Sequence, residues 1–487
     1  MRLRVLAIVV VAASLATVHL VHSAGTAAVS PRLTLPTPST TKMLLEGAVH
    51  QSEFVNVPVH HDQMSAYISY PDRADKAPVV VVRSKREGMS DWTRAVAYQL
   101  SRDGFVAVVP DYAPTPDSLG REEDAVRQYV HGIPSANGTI ATIDFDGPRI
   151  AARVGSSPVA SFSLSDQGWS DTLAFLTGQT GNRFSPIGHM DHVAMEAMAL
   201  EAAAQAAGRG QRQGGGGQPA ARPGSGLTDK RDDLPSNYVM AARVVDETPR
   251  KNEWVDVPMA NTKIHTWVVY PAGTEKVGTV LVLHGAQGAT EWVRAVADQL
   301  AHDGFIALVP DLSSGLGPNG GNFDSFKYQD QRMAATGKLG REGTMARLKA
   351  VREYAAKMPR SNGKTGSLGF CGGGTNSFTL ATDVPEHNAS VVFYGGPPPL
   401  ASLANIKAPV IGFYGENDVR IASTVPGTEG EMKRLGKSYE AHIYPKTTHS
   451  FLWMQDLGDN FLATEDSWPR ALTFLRRHLS TPAPSTR

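Results

Sequence analysis

Three residues in the second half of the chain have the types and order needed for acyl transfer: Cys371, Asp418 and His449. Cys371 lies in Gly369-Phe370-Cys371-Gly372-Gly373, Asp418 in Tyr414-Gly415-Glu416-Asn417-Asp418, and His449 in Thr448-His449-Ser450-Phe451. A thiol attacks a carbonyl as its thiolate, so it needs a base or a field that lowers its pKa. His449 would take that proton and return it to the leaving group. Asp418 would hold the imidazole in one tautomer and stabilise its charged form. A nucleophile in Gly-x-Nuc-x-Gly between a strand and a helix sits on a sharp turn that exposes its side chain. The flanking glycines are needed because a Cβ there would meet the neighbouring strand and helix. Cys371 is the only cysteine of the chain, so no intrachain disulfide competes for it. The plainer alternatives are a small buried hydrophobe for Cys371, a turn residue for Asp418 and a surface loop histidine for His449. His442 is the nearest rival base, but by alternation it falls mid-strand.

An oxyanion formed on attack needs backbone N–H donors. Gly372, directly after the nucleophile, is one expected donor. Ala286, in the loop His284-Gly285-Ala286-Gln287-Gly288 after a buried strand, is the other. Gly285 and Gln287 are then expected to line the substrate pocket, since open α/β sheets bind ligands beyond the carboxyl ends of their strands. No Lys-Ser/Thr follows this loop, so it is not a phosphate loop. His60-His61 and His189/His192 have no accompanying ligand cluster, and neither a metal nor a cofactor is expected.

The elements that must position these groups occur twice. Trp92 to Leu100 and Trp292 to Leu300 match, as do Asp103-Gly104-Phe105 with Asp303-Gly304-Phe305 and Pro110-Asp111 with Pro310-Asp311, all 200 residues apart. In each copy an alternating segment (Ser65 to Tyr70; His265 to Tyr270) predicts an early edge strand, and a continuous apolar run (Pro78 to Val82; Thr279 to Leu283) predicts a buried parallel strand. Strands alternating with helices imply a mostly parallel sheet with helices on both faces. Only the second copy continues, through a helix at Gly343 to Met358, the Cys371 turn, strands at 390–394, 410–414 and 439–444, and a helix from Trp468 to Leu479. In the first copy the nucleophile position is expected at Ser165, within Ser163-Leu164-Ser165-Asp166-Gln167, where both glycines are absent.

The resulting organisation is a signal peptide at 1–23, a degenerate partial α/β domain at 45–183, a helix at 184–207, and a flexible Gly/Pro/Gln linker at 208–236. A catalytic α/β domain at 240–480 and a loose tail at 481–487 follow. An uncleaved N-terminal membrane anchor is the alternative for the apolar run Val5 to Val21; with cleavage the protein is periplasmic or secreted. Lys+Arg and Asp+Glu balance at 47 each, which gives no argument for nucleic acid as a partner. The N-terminal copy is expected to pack on the catalytic domain within the chain.

With these motifs in place, roughly residues 253 to 479 resemble the dienelactone hydrolase family of α/β-hydrolases, supported also by Ala307 to Leu312. The resemblance implies hydrolysis of a small ester or lactone through a thioester on Cys371, with Asp418 and His449 completing the triad and no metal or cofactor. A general carboxylesterase and a binding or scaffold protein that kept the fold are the alternatives. Three departures from the family are visible. Gly285 stands where well-known members have a glutamate near the resting thiol. Ser313, Ser314 and Gly315 stand where an arginine binds substrate carboxylate. Leu452 and Trp453 stand where a second arginine is found. Arg341 or Arg420 would have to reach in to restore a cation, and Trp453 would suit an apolar or aromatic acyl group.

Overall fold

The duplicated strand–helix–strand pattern folds into two sheets. The computed structural model describes residues 52–59, 62–84, 88–111, 119–183, 231–260, 262–327, 329–455 and 459–480, with 35–37, Thr41 and Leu45. The expected signal peptide, the helix at 184–207, most of the linker and the tail lie outside the described residues, as do His60, His61, His189 and His192.

The first domain contains β1 (Ser52–Val59), β2 (Asp62–Ser69), β3 (Ala77–Ser84), α1 (Asp91–Arg102), β4 (Val106–Pro110), α2 (Leu119–His131), β5 (Ala136–Asp146), β6 (Arg149–Val154), β7 (Ala160–Ser163) and α3 (Asp166–Thr180). Its strand order is β1-β2-β4-β3-β5-β6-β7. The second contains α4 (Ala241–Glu247), β8 (Asn252–Met259), β9 (Thr262–Val269), β10 (Val277–Leu283), α5 (Glu291–His302), β11 (Ile306–Pro310), α6 (Gln329–Gly337), α7 (Gly340–Ala356) and β12 (Ser361–Phe370). It continues with α8 (Gly372–Asp383), β13 (Ala389–Phe393), β14 (Val410–Gly415), α9 (Val419–Ala422), α10 (Val425–Arg434), β15 (Tyr439–Tyr444) and α11 (Asn460–Leu479). Its order is β15-β14-β13-β12-β10-β11-β9-β8. The six strands from β15 to β11 run parallel, and the β8–β9 hairpin pairs antiparallel at the edge. The chain thus carries an α/β-hydrolase-like domain preceded by a smaller related α/β domain.

Period-two alternation explains the layers. Val280 and Val282 of β10 face the core formed with α5 and α11, while Leu281 and Leu283 face the one formed with α7. Each such fully buried aliphatic side chain contributes about 1.5–3 kcal/mol. In the first sheet Val80 and Val82 pack under α1 and α3, and Val79 and Val81 under α2. Residues 231–236, expected within the linker, lie against the second domain: Leu234 is buried, and Trp292 Nε1 donates to Ser236 O at 3.0 Å.

The strand registers relocate the nucleophile position of the first copy. Leu283 pairs with Gly369, and its counterpart Arg83 pairs with Asp144, so Cys371 corresponds to Asp146 and not to Ser165. At Asp146 the chain turns through Gly147, at φ +60°, straight into the antiparallel β6. A hairpin has therefore replaced the strand-to-helix crossover. Arg83 is bidentate to Asp144, at 2.5 and 2.7 Å, at the carboxyl end of this sheet. Ser165 instead caps α3, in extended backbone, accepting from Gly168 N–H at 3.2 Å. We predict that Ser165→Ala lowers stability by about 1 kcal/mol, the usual value of such a cap, in denaturant titrations. Ester turnover by the full chain should be unchanged; its loss would mean that Ser165 acts as a nucleophile.

Candidate active site

Cys371 joins β12 to α8 at φ 55°, ψ −121°, a region that non-glycine residues rarely occupy. Such strain costs on the order of 1–3 kcal/mol and persists only where the surroundings over-determine it. Here Cys371 N–H donates to Phe393 O at 3.1 Å, and Cys371 O accepts from Thr375 N–H at 3.1 Å. The glycines leave no room for alternatives. A Cβ on Gly369 would stand 2.0 Å from Gly373 O, one on Gly373 2.0 Å from Leu283 O, and one on Gly374 2.7 Å from Phe393 O. Below this turn, Ser367 of β12 meets Ser377 of α8 at 2.7 Å, and His387 Nε2 contacts Ser367 and Ser390 at 3.0 and 3.1 Å. Burial pushes His387 down to about 3, so it is a neutral strut.

His449 and Asp418 meet from two loops. His449 Nδ1–H donates to Asp418 Oδ2 at 2.5 Å, and both residues are buried. Gly415 allows the loops to approach, because a Cβ there would lie 2.5 Å from Thr447 O, and Asn417 N–H donates to Thr447 O at 3.0 Å. Asn460 Oδ1 accepts from Thr448 N–H at 3.1 Å and steadies the histidine loop. His449 Nε2 is buried without a well-formed hydrogen bond among the described residues. The group it senses electrostatically, beside Asp418, is Cys371. Burial alone would push the Cys371 thiol up; the His449 charge and contact, then Arg420 and the Gly372 N–H, outweigh it and hold the thiol below its ordinary range. Burial alone would push His449 down, but Asp418 and Cys371 raise it to about 10. These opposite shifts favour moving the thiol proton onto the imidazole.

The loop after β10 is braced at both of its first peptides. His284 Nδ1–H donates to Gly285 O at 2.8 Å while its Nε2 accepts from Leu312 N–H at 3.2 Å, which fixes a neutral tautomer. Burial, the leading cause, lowers the His284 pKa accordingly. Holding Gly285 O fixes the peptide plane that carries the Ala286 N–H. Arg332 of α6 then donates to Ala286 O through Nε and Nη2, at 3.2 and 2.9 Å.

Cys371, Gly372, Gly285, Ala286 and Arg420 line one cavity of about 640 Å³. Gln287 and Trp453 do not line it. Gln287 Oε1 lies against Gly285, where a Cβ would stand 2.9 Å from it. Trp453, expected in the pocket, turns inward on a Ser450–Trp453 turn and packs edge-on to Tyr238 at 5.3 Å. Arg341 pairs with Asp383 at 2.6 Å, outside the cavity, and His442 on β15 pairs with Glu440. Gly285 lies close to the thiol: a Cβ there would be 3.0 Å from Cys371 Cβ.

Three residues were not anticipated. Tyr394, at φ 42° just after β13, has its ring 4.9 Å from that of His449 and a buried hydroxyl without a hydrogen-bond partner among the described residues. Arg332 carried no motif. Glu53 of β1, from the first domain, is on the cavity wall together with Ser52 and Phe54. Only Tyr394 had a sequence signal, as the residue ending an apolar strand. Among the described residues there is no group of three or more His, Cys, Asp or Glu able to hold a metal ion, and no helix is long and apolar enough to cross a membrane.

The sequence profile of the dienelactone hydrolase family matches residues 264–479. A protein of Saccharolobus solfataricus described as "Putative carboxymethylenebutenolidase" is 30% identical over 228 residues, 41% of this chain and 88% of that protein. A Bradyrhizobium protein described as "Probable 2-oxo-3-(5-oxofuran-2-ylidene)propanoate lactonase" is 28% identical over 47% of this chain and 94% of its own length. A Klebsiella pneumoniae crystal structure described as "Putative Dienelactone Hydrolase" is 21% identical over 47% of this chain and all of that one, with a TM-score of 0.43.

Two outcomes follow from the geometry. At neutral pH the chain should show thiolate ultraviolet absorbance and rapid alkylation by iodoacetamide, both lost in His449→Ala. The thiolate signal should fade as pH drops through the depressed Cys371 pKa, and His449 should keep its proton until about pH 10. Gly373→Ala should cost about 1–3 kcal/mol or more in unfolding experiments, because its contact is backbone that cannot yield.

Proposed function

The C-terminal half of this chain belongs to the dienelactone hydrolase family, and we propose that it hydrolyses a small ester or lactone through a thioester on Cys371. The observation that carries this reading is the 2.5 Å bond from His449 Nδ1 to Asp418, which leaves the other ring nitrogen, Nε2, to exchange a proton with the thiol on its strained turn.

In this mechanism the Cys371 thiolate adds to the ester carbonyl. The oxyanion is received by the N–H groups of Gly372 and Ala286; Gly372 is the first residue of α8, where N–H groups have no intrahelical acceptor. Collapse breaks the acyl–oxygen bond, and the leaving alkoxide takes the proton from His449 Nε2. The now neutral imidazole removes a proton from water, whose oxygen attacks the thioester. Collapse of that second intermediate expels the thiolate and releases the acid. Asp418 keeps Nδ1 protonated throughout, so Nε2 remains the working nitrogen.

The substrate class is supported by the cavity. About 640 Å³ accommodates a small ester, and Ser313 and Ser314, at the family's arginine position, are buried around Asp311 instead. The N-terminal domain packs against this site and shapes its wall. The apolar run Val5 to Val21 supports export as the setting of the activity.

The test is a panel of aryl esters and lactones, including a dienelactone, with wild type and Cys371→Ala. Turnover in wild type should fall by roughly a thousandfold or more in the variant. Equal, negligible rates in both would remove the hydrolase reading in favour of a binding role.

A further inference from the structure

The first domain places a carboxylate at the active-site cavity of the second. Glu53, on the edge strand β1, has its Oε1 3.7 Å from Arg420 Nη1. Tyr70 holds that carboxylate in place by donating its hydroxyl to Oε1 at 2.7 Å, and Arg420 Cζ lies over the Tyr70 ring at 5.0 Å. Arg420 follows Asp418 by two residues, lines the cavity with Cys371, and has a buried Nε without a hydrogen-bond partner among the described residues. At the same junction Arg73 makes an isolated parallel bridge to Asp418.

The chain contains its own control for this arrangement. In the second copy Tyr270 donates to Glu253 at 2.8 Å, the same pair 200 residues on. There Glu253 lies by Lys251, at 3.6 Å, on the outer hairpin β8–β9. The Glu–Tyr pair is thus a feature of both hairpins, and only in the first copy does it face a nucleophile. Lys338 also lines the cavity but is exposed, whereas Arg420 is half-buried in its wall.

We infer that Glu53 is a specificity-determining residue supplied by the N-terminal domain: it neutralises Arg420 and biases the cavity against esters that carry a carboxylate. This rests on the reading of the Cys371 centre as an acyl-transfer site. An incoming carboxylate must either displace Glu53 from Arg420 or stand beside a like charge, which is unfavourable in a partly desolvated site. Removing the Glu53 charge turns Arg420 into an available anion anchor.

Full-length wild type, Glu53→Gln, Glu53→Gln/Arg420→Met and Glu253→Gln are compared in two assays. The first is the ratio of kcat/KM for 4-nitrophenyl hemisuccinate to that for 4-nitrophenyl acetate. The second is calorimetric binding of succinate, which needs no turnover. Glu53→Gln, which preserves the acceptor for Tyr70, should raise the ratio and tighten succinate binding by roughly tenfold. Both gains should vanish in the double variant and be absent in Glu253→Gln. An unchanged ratio and unchanged succinate affinity in Glu53→Gln would overturn the inference. Tighter succinate binding with no ester turnover in any protein would leave the Glu53 assignment standing and remove the hydrolase reading.

Discussion

Everything at this site depends on the backbone reversal at Cys371. The strand must end, turn through a positive φ and start a helix within two residues, while β10 and β13 press on both sides. That is achieved by deleting side chains. Gly369, Gly373 and Gly374 each lie where a Cβ would fall 2.0–2.7 Å from backbone oxygen. The same crowding lifts the thiol out of the sheet and puts the Gly372 N–H at a helix start. One steric constraint therefore sets both the lifted thiol and the backbone donor beside it.

The electrostatics follow from the groups around the thiol. A buried thiol is normally neutral, and burial does push Cys371 in that direction. His449, Arg420 and the Gly372 N–H act the other way and outweigh it. Asp418 anchors the far side of the imidazole, so the charge pair is closed by a third buried group rather than left uncompensated. That balance favours passage of the thiol proton to the histidine.

The candidate site was legible in the sequence because its parts are written locally. A Gly-x-Cys-x-Gly turn, an acid after a strand and a histidine in a loop each carry a short-range signature; the structure bonds His449 to Asp418 and puts Cys371 on a strand-to-helix turn. Strands were legible for the same reason: the apolar run at Thr279 to Leu283 lies within β10, though α11 begins at Asn460, well before the expected Trp468. What failed needed long-range information. Trp453 looked like a pocket residue because it follows the histidine loop, but a turn carries it into the Tyr238 and Trp292 cluster. Arg332 and Glu53 act across 46 and several hundred residues of sequence and have no motif. Ser165 lies before a helix, as a nucleophile in such a turn would, and only strand register shows that the corresponding position is Asp146, where a hairpin stands in place of the crossover.

The two copies thus took different routes from one strand–helix–strand opening. One has the crossover after β12, at Cys371; the other closes into an antiparallel edge, and its β1 lines the cavity that Cys371 also lines. The central claim is that Cys371 carries the acyl group. Its most direct test is acid-quenched peptide-mapping mass spectrometry during turnover of a slowly hydrolysed aryl ester. An acyl thioester on the Cys371 peptide, released by hydroxylamine, is the expected result. Turnover with the acyl group on another residue, or with none trapped on Cys371 under burst conditions, would contradict it.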